Sequence, residues 1–224
     1  MLVERVIDEE PTPLSPSDTV AEAREIMQEW QSDTLPVVEP TTRKLTGQIR
    51  LDQLVDLQSD EDEVAVSDLP LEGPAAVYPH QHVFEAARQM LMHDASYISV
   101  IESDQTYQGV VRKKRVLEVL TEMLNISVSG SVISVEVEPN DYSLSELVYL
   151  IESESARILG VAVEAPNEEN DYYLVSFKLN LNDTSGISQS LRRHDYRIRS
   201  ESHSELLQFD MTDRADELMR YLDV

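Results

Sequence analysis

Apolar residues recur every three to four positions at Val20, Ala23, Met27 and Trp30, so 19–30 reads as an amphipathic helix. Ser17, Asp18 and Thr19 ahead of it have short polar side chains suited to capping a first helical turn. The pattern then changes period. Thr34 to Glu39 is an apolar run that reads as a buried strand. A turn at Pro40-Thr41-Thr42 leads to a second strand over 44–50, and Leu51, Leu54, Val55 and Leu57 predict a short helix after it. Upstream, residues 1–18 are broken by Pro11, Pro13 and Pro16, which favour extended backbone.

The same pattern is written again. Pro79 stands in place of Pro16, Val83 of Val20, Glu85-Ala86 of Glu22-Ala23 and Met90 of Met27. Val100 and Glu102 stand in place of Val37 and Glu39, and all these pairs share an offset of 63 residues. Gly109 and Arg112 match Gly47 and Arg50 at an offset of 62, so one residue is lost in the turn between the strands. Each unit is strand–helix–strand–strand–helix. One copy exposes too much apolar strand surface to stand alone, so the two are expected to pack together. Gln58 to Ser67 separates them. Its Asp60-Glu61-Asp62-Glu63 run reads as a solvated linker, not a metal site.

After a helix over 112–124 the order changes. Ser131–Glu138, Ile158–Val163, Tyr172–Leu181 and Tyr196–Ser200 read as strands, and Ser143–Glu154 and Ser185–Arg193 as helices. Asp183 and Thr184 are the cap candidates for the second of these. This β-α-β-β-α-β order is the ferredoxin-like arrangement. A further strand over 205–209 and a helix from Asp213 to Leu222 follow. The expected fold class is α+β, with boundaries at 1–66, 67–127, 130–201 and 202–224.

Charge narrows the partners. The 43 acidic residues against 18 basic ones leave a net charge of -25. Nucleic acid and anionic membrane surfaces, which attract basic faces, are excluded. Of the basic residues 14 are Arg and 4 are Lys, and an acidic, Lys-poor surface suits a high-salt cytoplasm where self-repulsion is screened. Cysteine is absent, so thiol chemistry is absent too. No signal peptide or membrane-spanning run is read, and the expected compartment is the cytoplasm.

The repeats resemble a tandem pair of CBS domains. The resemblance rests on the helix before Leu35-Pro36-Val37-Val38 and on two strand-to-helix passages. These are Gly47-Gln48-Ile49-Arg50-Leu51-Asp52-Gln53-Leu54 and Gly109-Val110-Val111-Arg112-Lys113-Lys114-Arg115-Val116. Residues 130–200 resemble an ACT domain, and the order is similar to small CBS–ACT proteins of the acetoin-utilisation accessory type. The resemblance implies a non-catalytic sensor, often dimeric, whose clefts bind adenine nucleotides. The sequence departs from it at the ligand positions. Where nucleotide-binding members have a phosphate-contacting Thr or Ser, this chain has Arg50 and Arg112. Where they have a ribose-binding Asp, it has Gln53 and Arg115. The loop Pro139-Asn140-Asp141-Tyr142-Ser143-Leu144 also lacks the glycine usual in amino-acid-binding ACT domains, which points to oligomerisation for that unit.

The strongest polar feature is Arg112-Lys113-Lys114-Arg115. No other Lys or Arg occurs from 116 to 156. Cations at a helix start oppose the macrodipole and call for a partner. One reading is an anionic ligand held by Arg50, Arg112, Lys113 and Arg115. The other is ion pairing with the chain's own or a partner's carboxylates. His80 and His82 are weak metal candidates without a third ligand. Arg192-Arg193-His194 with Arg197 and Arg199 reads as a surface or dimer contact. No nucleophile–base constellation or glycine-rich phosphate loop is present. The expectation is a regulatory protein, not an enzyme. It would be a homodimer or higher homo-oligomer, acting on an unknown protein and binding an adenine nucleotide or another anionic metabolite. The competing expectation is an interaction module that binds no small molecule.

Overall fold

The computed structural model describes residues 1–55, 57 and 62–203, which divide into two units, one from Met1 to Leu120 and one from Thr121 onward. In the first unit, α1 (Val20–Trp30) buries Val20, Ala23 and Met27. Thr19 starts it with a capping box. Its hydroxyl accepts from the Glu22 N–H (3.3 Å), and the Glu22 carboxylate accepts from the Thr19 N–H (2.8 Å). The second copy, α3 (Val83–His93), buries Val83, Ala86 and Met90, with His82 as its cap. Hairpin β1 (Thr34–Val38)/β2 (Leu45–Arg50) runs straight into α2 (Leu51–Val55). Hairpin β4 (Tyr97–Ile101)/β5 (Tyr107–Arg112) runs straight into α4 (Lys113–Met123). Registers match position for position. Thr34 opposes Arg50 as Tyr97 opposes Arg112, and both hairpins carry an irregularity before the same residue, Val38 and Ile101.

The repeats exchange strands. The segment that enters the first repeat pairs Leu14 with Val37 of its own hairpin, but only after Asp8 has paired with Val110 of the second repeat. The segment that enters the second repeat pairs Glu72 with Gln48 of the first before β3 (Ala76–Val77) pairs with β4. Both crossings pass over a glycine. A Cβ on Gly109 would lie 2.6 Å from the Asp8 carbonyl oxygen, and one on Gly47 would lie 2.8 Å from the Leu71 Cβ. Glycine is therefore required by close approach at both places.

The exchange also distributes the core. Val3 and Val6 are buried with Val83, Met90, Ile98 and Val100 of the second repeat. Each such side chain contributes about 1.5–3 kcal/mol of burial free energy. The hairpin tips meet through Leu45 N–H donating to the Gln105 carbonyl (3.2 Å) and Tyr107 N–H donating to the Arg43 carbonyl (2.8 Å). Around them Val38, Leu45, Ile101, Tyr107 and Val110 form a shared cluster.

The second unit has the expected ferredoxin-like order: β6 (Ser131–Val137), α5 (Leu144–Ser153), β7 (Ile158–Glu164), β8 (Tyr173–Leu179), α6 (Ser185–Arg193) and β9 (Arg197–His203). The sheet is antiparallel throughout, in the order β7-β8-β6-β9. Ile133, Val135, Val175, Phe177 and Leu179 bury one sheet face under Leu147 and Ile151 of α5 and Ile187 and Leu191 of α6. Of the two cap candidates for α6, Asp183 accepts from the Ser185 N–H (2.9 Å), whereas the Thr184 hydroxyl turns to Glu201 (3.2 Å). Glu201 also accepts from Ser188 (2.6 Å) and so ties α6 to β9. The strand expected over 205–209 and the helix over 213–222 lie outside the described residues.

Candidate ligand-binding cleft

The passage from β5 to α4 has no intervening loop: Arg112 ends the strand and Lys113 begins the helix. The first turn of α4 carries no acidic residue, in contrast to Glu22 on α1, Asp52 on α2 and Glu85 on α3. Cations stand there instead. Because the crossing segment lies against β5, it brings Arg5 and Asp8 to this end of the helix. The result is a recess of about 420 Å³ lined by Arg5, Asp8, Arg112, Lys114, Arg115 and Glu118 and by Val6 and Ile7. The Arg112 Nε donates to Asp8 Oδ2 at 2.5 Å, and its guanidinium carbon sits 5.5 Å from the Tyr97 ring centroid. Tyr97 in turn donates to the Trp30 carbonyl (3.0 Å). Arg115 pairs with Glu118 at 3.1 Å.

Of the four expected ligand residues, the fold brings Arg112 and Arg115 together and leaves two elsewhere. Lys113 does not line the recess; its N–H donates to the Ser96 carbonyl (2.9 Å). Arg50 lines a separate recess of about 430 Å³ with Asp33, Leu51, Asp52 and Val55. There its Nε pairs with Asp52 (3.3 Å) and its Nη1 donates to the His93 carbonyl (3.3 Å). Arg50 and Arg112 therefore line two different recesses. Gln53, at the position expected for a ribose carboxylate, spends its amide on the backbone. It accepts from the Arg50 N–H and donates to the Pro70 carbonyl, both at 2.8 Å. The sequence carries no local signal for Arg5 and Asp8, because nothing local ties residues 5–8 to a helix more than a hundred positions away. Lys114 is marked in the sequence only as part of the basic run.

The remaining candidates resolve into contacts within the chain. His82 has Nδ1 3.3 Å from the Phe84 N–H and Nε2 2.8 Å from the Met1 amine, while His80 stacks on Tyr78 with ring centroids 5.7 Å apart. Among the described residues no group of three or more acidic or histidine side chains is placed to hold a metal ion. The acidic linker lies partly outside the described residues, but Asp62 is within them and pairs with Arg24. Arg192, Arg193 and Arg199 pair with Glu201 (3.8 Å), Glu154 (3.8 Å) and Glu136 (3.5 Å). In the second unit, the loop over 139–144 helps to line a recess of about 780 Å³ with Asp171, Tyr172, Asp195 and Tyr196. Burial, followed by the charges of Glu146 and Asp141, raises the Tyr196 phenol above its ordinary value.

Two strand-exchanged repeats, each with a strand-to-helix passage opening on a recess, define a paired-repeat cleft module. The CBS domain model matches residues 3–60 and 66–122, more than half of the chain, and the chain belongs to the CBS domain family. It is similar in structure to a CBS domain pair/ACT domain protein from Thermotoga maritima, at 22% identity and a TM-score of 0.50, covering 55% of this chain and 99% of that one. It also matches a putative acetoin utilization protein from Vibrio cholerae at 18% identity and a TM-score of 0.49, covering 57% and 95% of the two chains. The CBS domains of a transcriptional regulator from Streptococcus pneumoniae match at 20% identity and a TM-score of 0.47, covering 53% and 98%. No curated protein sequence matches. Among the described residues no helix is long and apolar enough to cross a membrane.

Proposed function

We propose that this chain is a non-catalytic regulatory protein. Its CBS pair is a ligand-responsive cleft for an adenine nucleotide or another anionic metabolite. Its ferredoxin-like unit is an ACT-like domain that assembles the chain into a homodimer or higher homo-oligomer. The observation that carries the reading is the gathering of Arg5, Arg112, Lys114 and Arg115 around one recess, in a chain whose net charge is -25. Such a concentration of cations favours anions at close range, and arginine forks hold phosphate oxygens in pairs. Binding would shift the arrangement of the exchanged repeats and so be felt by a partner protein. The assembly role draws on the uncovered face of the sheet. There Leu124, Ile126, Val132 and Ala162 border an apolar groove of about 170 Å³.

The test is thermal unfolding with AMP, ADP, ATP, S-adenosylmethionine and pyrophosphate at low and high salt, with the oligomeric state measured alongside. A ligand at a hundred times its Kd stabilises by about 2.7 kcal/mol, or about 5–10 °C in Tm for a chain of this size. The expected result is such a rise for at least one anion, lost in the Arg112→Ala/Arg115→Ala protein with the oligomer intact. A second reading has its own observation: Arg112 and Arg115 already pair with Asp8 and Glu118. On that reading the cleft is structural and the protein is an interaction module. Absence of a shift with every ligand, together with dissociation of the double variant, would establish it instead.

A further inference from the structure

The two clefts are unequal, and the inequality names the occupant and its competitor. Repeat equivalence puts Asp52 at the place of Lys114 and Gln53 at the place of Arg115. The crossing strand that carries Asp8 against Val110 has its counterpart in Glu72 against Gln48. Of the cations at the second passage, only Arg112 has a basic counterpart, Arg50, and that residue faces Asp33 and Asp52. In the second recess four cations face two carboxylates, Asp8 and Glu118. One of these carboxylates is already bound as a ligand anion would be: Asp8 Oδ2 sits 2.5 Å from the Arg112 Nε. The guanidinium of Arg112 also lies over the ring of Tyr97.

Resting on the reading of this cleft as an anion site, we propose that the chain binds one compact polyanion, with two or more negative charges, at the second passage only. The carboxylate of Asp8 occupies the anion's place and must be displaced. Asp8 lies on the exchanged segment, whose backbone pairs with β5. The internal competitor is thereby part of the contact that joins the repeats, and occupation of the site is reported at that contact. A single negative charge gains too little to displace an anion already in place. A diphosphate group gains a second contact with Arg115 or Lys114.

Titration calorimetry of the full chain with inorganic pyrophosphate, at fixed ionic strength, tests this. The variants are Asp8→Asn, which keeps the backbone pairing and the side-chain shape, and Glu118→Gln, which removes the same charge from the recess without touching Arg112. Melting curves confirm that each is folded. The expected result is about one pyrophosphate per chain, bound about tenfold more tightly by Asp8→Asn and less than threefold more tightly by Glu118→Gln. Binding that appears only in Asp8→Asn also supports the proposal. Equal gains in the two variants would reduce Asp8 to a general charge effect and overturn it, as would wild-type binding that Asp8→Asn leaves unchanged. Two equivalents per chain would overturn the single-site assignment. No binding by the wild type or either variant would sink the anion cleft itself.

Discussion

Asp8 and Val110 exchange both of their backbone hydrogen bonds, at 2.8 and 3.0 Å, across a hundred residues of chain. This pair lays the segment that begins the first repeat along β5 of the second. Glu72 and Gln48 make the reciprocal exchange at 3.0 and 3.1 Å. Neither repeat can therefore complete its sheets alone.

The contact is tight enough to test by a single methyl group. Gly109 has φ +147, and its missing Cβ would sit 2.6 Å from the Asp8 oxygen; Gly73 has nothing within 4 Å. Gly109→Ala is expected to cost about 2–4 kcal/mol of stability in urea unfolding, from strained backbone and a lost strand pairing. Gly73→Ala should stay within about 0.5 kcal/mol of the parent. Equal effects would mean that the crossing strand moves aside freely.

Tyr107 stands on the second hairpin where the first has Leu45, and its hydroxyl is buried without a hydrogen-bond partner among the described residues. Burial raises its phenol above the ordinary value of 10.0; the charge of Asp8 adds to this and Arg43 opposes it. Removing an unpaired buried hydroxyl relieves a desolvation cost of about 1–3 kcal/mol, so Tyr107→Phe should be at least as stable as the parent. The sign with pH follows from linkage. The unfolded phenol ionises near pH 10 while the folded one stays protonated, so this contribution is present below pH 10 and is lost as pH rises above it. Denaturation midpoints from pH 8 to 11 should fall less steeply in Tyr107→Phe than in the parent.

Glu85, in the first turn of α3, is held down to about 2 from an ordinary 4.5, first by the hydrogen bond from Arg88 and then by that from Gln89. A depressed carboxylate contributes stability above pH 4.5 and loses it as pH falls toward 2. Carboxyl titration by NMR should place Glu85 well below 4.5, and Arg88→Ala should return it toward that value. An unchanged midpoint in that variant would remove Arg88 as the cause of the depression.

The elements were largely legible in the sequence. Val20, Ala23 and Met27 carry a period of 3.6, and Val83, Ala86 and Met90 repeat it at one offset; all six are buried as that period requires. The loss of one residue between the strands is the shorter turn between β4 and β5. In the second unit the alternation at Ile133, Val135 and Val137 marks the face that the helices cover. Of the capping box at Thr19 and Glu22, the short polar side chain of Thr19 is the part that the sequence marks.

The site was legible only in part. Arg112 and Arg115 stand out because basic residues are scarce along the chain, and composition reports scarcity. That Arg112 meets Asp8, and that Arg50 serves a different recess, follows from which strand crosses to which hairpin. Local propensity and periodicity depend on neighbours three to five residues away, so the sequence alone determined the helices, the hairpins and their duplication. Strand exchange is decided by contacts between residues distant in sequence, Asp8 with Val110 and Glu72 with Gln48, which no local pattern shows. That exchange, which only the tertiary structure decided, adds Arg5 to the recess at the basic run and seats the carboxylate of Asp8 in it.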